Sequence, residues 1–229
     1  MRHAIPIVAA SVVRVALPIL MAAPCVSAEW VVRATESFDD PDAFAARWEV
    51  LDPATWRIGD DPLRGGIARV HERESAYRPP HKSPKHVAVL RDEPVGDFRL
   101  TFEARSPRDS GPHRDCCVIF GWQHAARFYY VHLGAVPDDR SGQIMIVDNA
   151  DRTALTENTN RVPWTDDWST VRVERRLGDG AIRVYFDDLE TPVMEVADTT
   201  LGDGLVGLGS FDDLIDFDNL RLETASGDR

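Results

Sequence analysis

The sequence predicts an all-β protein, an antiparallel sandwich or barrel with one short helix near its start, on three observations. Its apolar segments are short, and many alternate with a period of two. Turn residues separate them, as at Gly65-Gly66, Pro79-Pro80, Gly111-Pro112, Gly178-Asp179-Gly180 and Gly202-Asp203-Gly204. Only one segment carries a helical pattern, and no heptad, internal repeat or low-complexity linker divides the chain. At 229 residues it matches one large all-β domain, a class that reaches ~200–250 residues undivided.

The first segment reads as a secretory signal. Arg2 and Arg14 precede an apolar run from Val15 to Ala23, and Val26-Ser27-Ala28 supplies a small-x-small cleavage site. Arg14, Pro18 and Pro24 leave the run short of the ~20 residues of a spanning helix. Pro24 and Ala22 fit a lipid attachment at Cys25 poorly. The reading is therefore a signal over residues 1–28, release by export to the periplasm or the medium, one domain over 29–224 and a disordered tail over 225–229.

In Ser37 to Val50, Asp39 or Asp40 can cap a helix that opens at Pro41 and turns Phe44, Ala45 and Trp48 to one side. Strands follow. Phe98, Leu100, Phe102 and Ala104 alternate in the first clear one, and Trp168 to Asp188 reads as a hairpin turning near Leu177 to Gly180. The whole chain has 26 Lys and Arg against 38 Asp and Glu, a net charge of −12, and removing Arg2 and Arg14 gives 24 − 38 = −14. Such a surface excludes the basic footprint of nucleic-acid or anionic-membrane binding.

The stretch Arg114 to Gly134 concentrates the chemistry-bearing residues. With period two, Asp115, Cys117 and Ile119 share one face of a strand, while Phe128, Tyr130 and His132 share one face of the next, joined through Gly121 to Arg127. The cysteines and histidines have neither C-x-x-C nor H-x-x-x-H spacing, so the sequence assigns no zinc site. Adjacent Cys116 and Cys117 point to opposite faces, which disfavours a disulfide between them. Asp115, Tyr130 and His132 on one surface would suit a saccharide, with an acid, a phenol and an imidazole turned to the same ligand.

Several stretches together, among them "YRPPHKSPKHVAVL", "HRDCCVIFGWQHAARFYYVHLG", "GQIMIVDNADRTAL" and the last sixty or so residues through "DFDNLRL", resemble the concanavalin A-like, laminin G-like superfamily. Within it the chain is similar to exported bacterial proteins related to 3-keto-disaccharide hydrolases. The resemblance implies a two-sheet antiparallel jelly-roll sandwich and a saccharide or polysaccharide ligand. The E-x-D-x-x-E stretch of laminarinase-like enzymes on this fold does not occur.

On that reading a sugar would lie across the concave sheet. Asp115 and His132 are the candidate acid and base. Tyr130 and Trp164 would stack on the sugar, while Arg114, Gln143, Asn149 and Arg152 orient its hydroxyls. The basic, proline-stiffened segment holding His81 and Lys82 would line a rim or take an anionic group. Because first and last strands are neighbours in such sandwiches, Asp39, Asp40 and Asp218 would gather oxygen donors for a structural Ca²⁺, with no cofactor required for the reaction. The alternatives are a non-catalytic glycan-binding module and a structural envelope protein.

Overall fold

The computed structural model describes Met1 and residues 29–92 and 94–226, so the signal segment lies outside the described residues. The chain forms β1 (Trp30–Glu36), α1 (Pro41–Arg47), β2 (Trp48–Val50), β3 (Trp56–Asp61), β4 (Gly65–Val70), β5 (His86–Leu90), β6 (Phe98–Arg105), β7 (Cys117–His124), β8 (Arg127–His132) and β9 (Gln143–Asp148). Then come β10 (Thr153–Ala154), β11 (Ser169–Arg175), β12 (Ala181–Phe186), β13 (Met194–Ala197), β14 (Leu205–Ser210) and β15 (Ile215–Ala225).

Two antiparallel sheets face each other. Sheet A has the order β13, β12, β11, β6, β15, β4, β3, and sheet B the order β10, β9, β8, β7, β14, β5, β2. The long β15 takes β4 on its first residues and β1 on its last, so the first and last strands pair from Trp30 opposite Ala225 to Glu36 opposite Leu220. The expected fray therefore starts too early. Ala225 belongs to the strand, and Ser226 N donates to the Glu29 carbonyl at 2.8 Å.

Local signals explain the elements. Asp40 caps α1 by accepting from the amides of Asp42 and Ala43, and Pro41 opens the helix, where a missing N–H costs nothing. Phe44 is the helix residue that is buried, while Ala45 is exposed rather than part of an inward face. Strand β6 of sheet A alternates strictly: Phe98, Leu100, Phe102 and Ala104 point into the sandwich and their neighbours do not. The 169–186 hairpin closes as read, with Val173 opposite Val184. By contrast, the β7–β8 connection is tighter than expected, because β7 runs on to His124, opposite Arg127.

Sheet B is buried on both faces. Cys116, Val118, Phe120, Tyr129 and Val131 fill the sandwich, and Val87, Val89, Cys117, Ile119, Phe128, Tyr130, Met145 and Val147 form a second apolar cluster on the outer face. Leu51, Trp122, Ala154 and Leu205 pack against that cluster, and the connection from β4 to β5 crosses the same face. It is tied at one edge of sheet B, where Ser75 Oγ and Ala76 N donate to Asp52 at 2.8 and 2.6 Å, just after β2. It is tied again at the opposite edge, where Lys82 N donates to Asp151 at 2.9 Å, just before β10. Residues 71–85 are thus a strap across the sheet.

Candidate functional site

Strand register, not sequence spacing, builds the polar centre of sheet B. Cys117 of β7 lies directly opposite His132 of β8, and Asp115 enters from the residue pair before β7. His132 Nε2 is 3.1 Å from Asp115 Oδ2, and one ligand atom from each of Asp115, Cys117 and His132 lies within 4.8 Å of the others. The expected acid and base do meet. They meet inside the protein, however, with side chains only 2% and 7% exposed.

Phe211 closes this centre. Its ring stacks on His132 at 5.5 Å, and the Arg152 guanidinium lies 4.3 Å from the centre of the same ring. Arg152 also donates to the Tyr130 hydroxyl at 3.1 Å, and Tyr130 is fully buried. Burial pushes the Tyr130 phenol well above its ordinary pKa, as it does the Cys117 thiol, which Asp115 raises further. Neither group ionises near neutral pH.

Several expected ligand-binding residues are structural. Gln143 is internal: its amide donates to the carbonyls of Asp138 and Asn158 and accepts from Thr156 Oγ1 and Asn158 N, which leaves nothing for a sugar. Arg114 is buried, and its Nη2 donates to the Ser106 and Thr165 carbonyls and to Asp166. Trp164 donates its indole N–H to the Leu133 carbonyl at 2.7 Å and packs edge-on against Phe186, so it is a half-buried plug rather than an exposed platform. Trp168, which opens the 169–186 hairpin, lies beneath the guanidinium groups of Arg64 and Arg105. Asn149 is exposed at the β9–β10 turn with φ of 53°, where its left-handed backbone is the reason for an Asn.

The carboxylates expected to hold calcium are engaged by protein donors. Asp40 caps α1, Asp39 accepts the Gly66 amide at 2.9 Å, and Asp218 pairs with Arg64 at 3.2 Å. Gly66 is required there, since a Cβ would fall 2.2 Å from the Phe38 carbonyl oxygen. The depression of about 410 Å³ beside α1 is lined by Asp39 and Asp40, yet Asp218 is not part of its wall. Among the described residues these three form no converging ligand group.

An open cleft of about 450 Å³ lies along the strap, lined by Glu74, Tyr77, Arg78, Pro79, Pro80, His81, Lys82, Ser83, Lys85, Asp151 and Phe211. His81 and Lys82 are part of this lining, next to Pro79 and Pro80. Tyr77 and Phe211 were not picked out by sequence, whereas Lys85 belongs to the basic segment that was. Phe211 lies in an acidic turn, and only the strap's path brings it beside Lys82.

Antiparallel order, two packed sheets and paired terminal strands decide the architecture. The fold is the concanavalin A-like jelly roll. Solved structures with this jelly roll include the carbohydrate-binding module CBM66 from Bacillus subtilis, at 14% identity and a TM-score of 0.55 over 77% of this chain and 95% of that one. Domain 4 of AbnA, a GH43 extracellular arabinanase from Geobacillus stearothermophilus in complex with arabinotriose, matches at 14% identity and 0.51 over 86% and 94%. The GH43 protein BlXynB from Bacillus licheniformis, a K247S mutant, matches at 14% and 0.57 over 83% of this chain, which spans only 39% of that one. No family model and no curated protein matches. At these identities the jelly roll is shared, and the reaction is argued from the site.

Beside the centre, His86 is fully buried with Nε2 3.2 Å from the Arg73 carbonyl and Nδ1 3.1 Å from Thr55 Oγ1. Burial lowers its pKa from the ordinary 6.5 and Lys85 lowers it further, against the raising effects of the Arg73 carbonyl, Asp52 and Asp115. Between the two values the unfolded chain binds more protons than the jelly roll does. This contribution to stability is complete above the ordinary value and is lost as pH falls through it toward the lowered one. The melting temperature is expected to drop between about pH 7 and pH 5, and His86→Gln should flatten that drop. Thermal melts across that range check it; an equal slope in both proteins contradicts it.

Proposed function

We propose that the protein is an exported glycan-recognition protein which holds a saccharide in the strap cleft and does not hydrolyse it. The observation that carries this reading is the closed outer face of sheet B. A sugar lying across that sheet would have to displace the strap, and the pair Asp115–His132 is sealed beneath Phe211. A general acid must come within hydrogen-bond reach of the glycosidic oxygen, and glycoside hydrolysis ordinarily uses two carboxyl groups flanking that bond. Buried Asp115 and His132 offer neither condition in this arrangement.

The cleft supplies what recognition needs. Tyr77 and Phe211 offer aromatic surface, and Arg78, Lys82 and Lys85 outnumber Glu74 and Asp151 on a chain of net charge −12. A local cationic rim on an acidic protein favours a saccharide bearing carboxylate groups. The likeness to carbohydrate-binding modules supports the ligand class, and export rests on the signal-like N-terminus. No described helix is long and apolar enough to cross a membrane.

The test is a panel of neutral, uronic-acid and 3-keto glycosides offered to the chain from Glu29 to Arg229, scored for binding and for released sugar. Saturable binding to acidic oligosaccharides is expected, weakened by salt, unchanged by calcium chelation and without product. Released sugar that disappears in His132→Ala would overturn the reading in favour of the 3-keto-disaccharide hydrolase-like one. Neither binding nor product would leave a structural envelope role.

A further inference from the structure

The geometry points to a buried site for a borderline divalent cation, of which Zn²⁺ is the type, held by Asp115 Oδ2, Cys117 Sγ and His132 Nε2. The three donor residues lie outside the cleft lining, so the site stands apart from the glycan reading. His132 Nδ1 lies 2.8 Å from the Arg140 carbonyl, which can only accept, so the ring proton sits on Nδ1. In the neutral imidazole Nε2 then carries a lone pair. That lone pair faces a carboxylate oxygen at 3.1 Å, in a residue 5% exposed, and Nε2 has no hydrogen-bond partner. Two acceptors turned toward each other in a dry interior repel unless a positive centre lies between them.

A proton on Nε2 would answer the repulsion between these two atoms. It gives no role to the third. Cys117 Sγ, fully buried and opposite His132 in register, completes a set of three donor atoms within 4.8 Å of one another. A carboxylate, a thiolate and a neutral imidazole balance one divalent charge, so binding M²⁺ releases the single thiol proton and leaves the buried site neutral. The donor set selects among metals. Sulfur and nitrogen with one oxygen suit zinc, whereas calcium and magnesium take oxygen ligands.

The surroundings fit the same reading. A metal-bound imidazole commonly donates its other N–H to a carbonyl or carboxylate, and the Arg140 carbonyl stands in that position. Asp115 Oδ1 is oriented by the Phe211 amide at 3.3 Å and by Ser210 Oγ at 3.4 Å, which leaves Oδ2 toward the histidine. Three protein ligands leave one coordination position to a water or another small donor. Phe211, stacked on His132 and lining the strap cleft, is the side chain through which an ion would enter.

Titration of the chelator-treated protein, Glu29 to Arg229, with Co²⁺ tests the site, because a thiolate bound to cobalt gives a near-ultraviolet charge-transfer band. One equivalent per chain is expected, displaced by Zn²⁺, with the band lost in Cys117→Ser and kept in Cys116→Ser, whose side chain faces the sandwich core. Zinc at a hundred times its Kd should also raise the melting temperature of the wild type by about 5 °C. Absence of the band, or its persistence in Cys117→Ser, overturns the assignment and leaves an imidazolium–carboxylate pair. Should Cys117→Ser fail to fold, Asp115→Asn takes its place, and a wild-type melt indifferent to zinc overturns the assignment without any variant.

Discussion

Alanine in place of both Tyr77 and Lys82 is expected to weaken glycan binding by about 30-fold or more, the effect of losing a central aromatic contact and a charged one. Both residues line the strap cleft, and Tyr77 belongs to neither apolar cluster of the jelly roll. The strap remains tied through the Lys82 backbone amide, which the substitution keeps, so the fold should persist. Titration calorimetry against the best ligand of the panel, with a thermal melt of each protein, checks both parts. Unchanged affinity in a folded variant would move the ligand elsewhere.

The largest expected effect on stability falls on the other sheet. Asp216 is fully buried on β15 and takes Arg69 Nε and Nη2 at 2.5 and 2.9 Å, together with Arg105 Nη2 at 2.7 Å. Arg105 also reaches Asp61 at 3.1 Å. Replacing Asp216 with alanine removes the anion that two guanidinium groups share and leaves both without their buried partner. The expected loss is about 3 kcal/mol in urea unfolding, the lower range for breaking one side of a buried ion pair, because the arginines retain some contact with water. A loss below ~1 kcal/mol would show that solvent replaces the carboxylate without penalty.

Much of the jelly roll was legible because burial writes itself into the sequence with the strand period. Phe98 to Ala104 alternates since sheet A buries one face; the unbroken apolar stretches of Val87 to Leu90 and Cys116 to Phe120 belong to a sheet buried on both, which the sequence reading took as open on one. The helix was legible through Asp40 and Pro41. The meeting of Asp115 with His132 was foreseeable only as a shared face, since face follows from parity but contact depends on register.

What misled the site reading was the second face of sheet B. Tyr130 and His132 look like ligand-facing residues on an open sheet, and nothing local announces that residues 71–85 cross it. The strap is held to Asp52 through Ser75 and Ala76 and to Asp151 through Lys82, partners remote in sequence from the residues they hold. The cation site was hidden for a related reason. Zinc motifs are recognised by spacing along a helix or turn, whereas Cys117 and His132 are brought together across a ladder.

The most direct test of where this protein recognises its ligand is a backbone amide chemical-shift titration with an acidic oligosaccharide. Saturable shifts are expected at Tyr77, His81, Lys82, Asp151 and Phe211, with the amides of sheet A unmoved. Shifts centred instead on the apolar cleft of Phe44, Trp48 and Trp56, or on the outer face of sheet A, would contradict it.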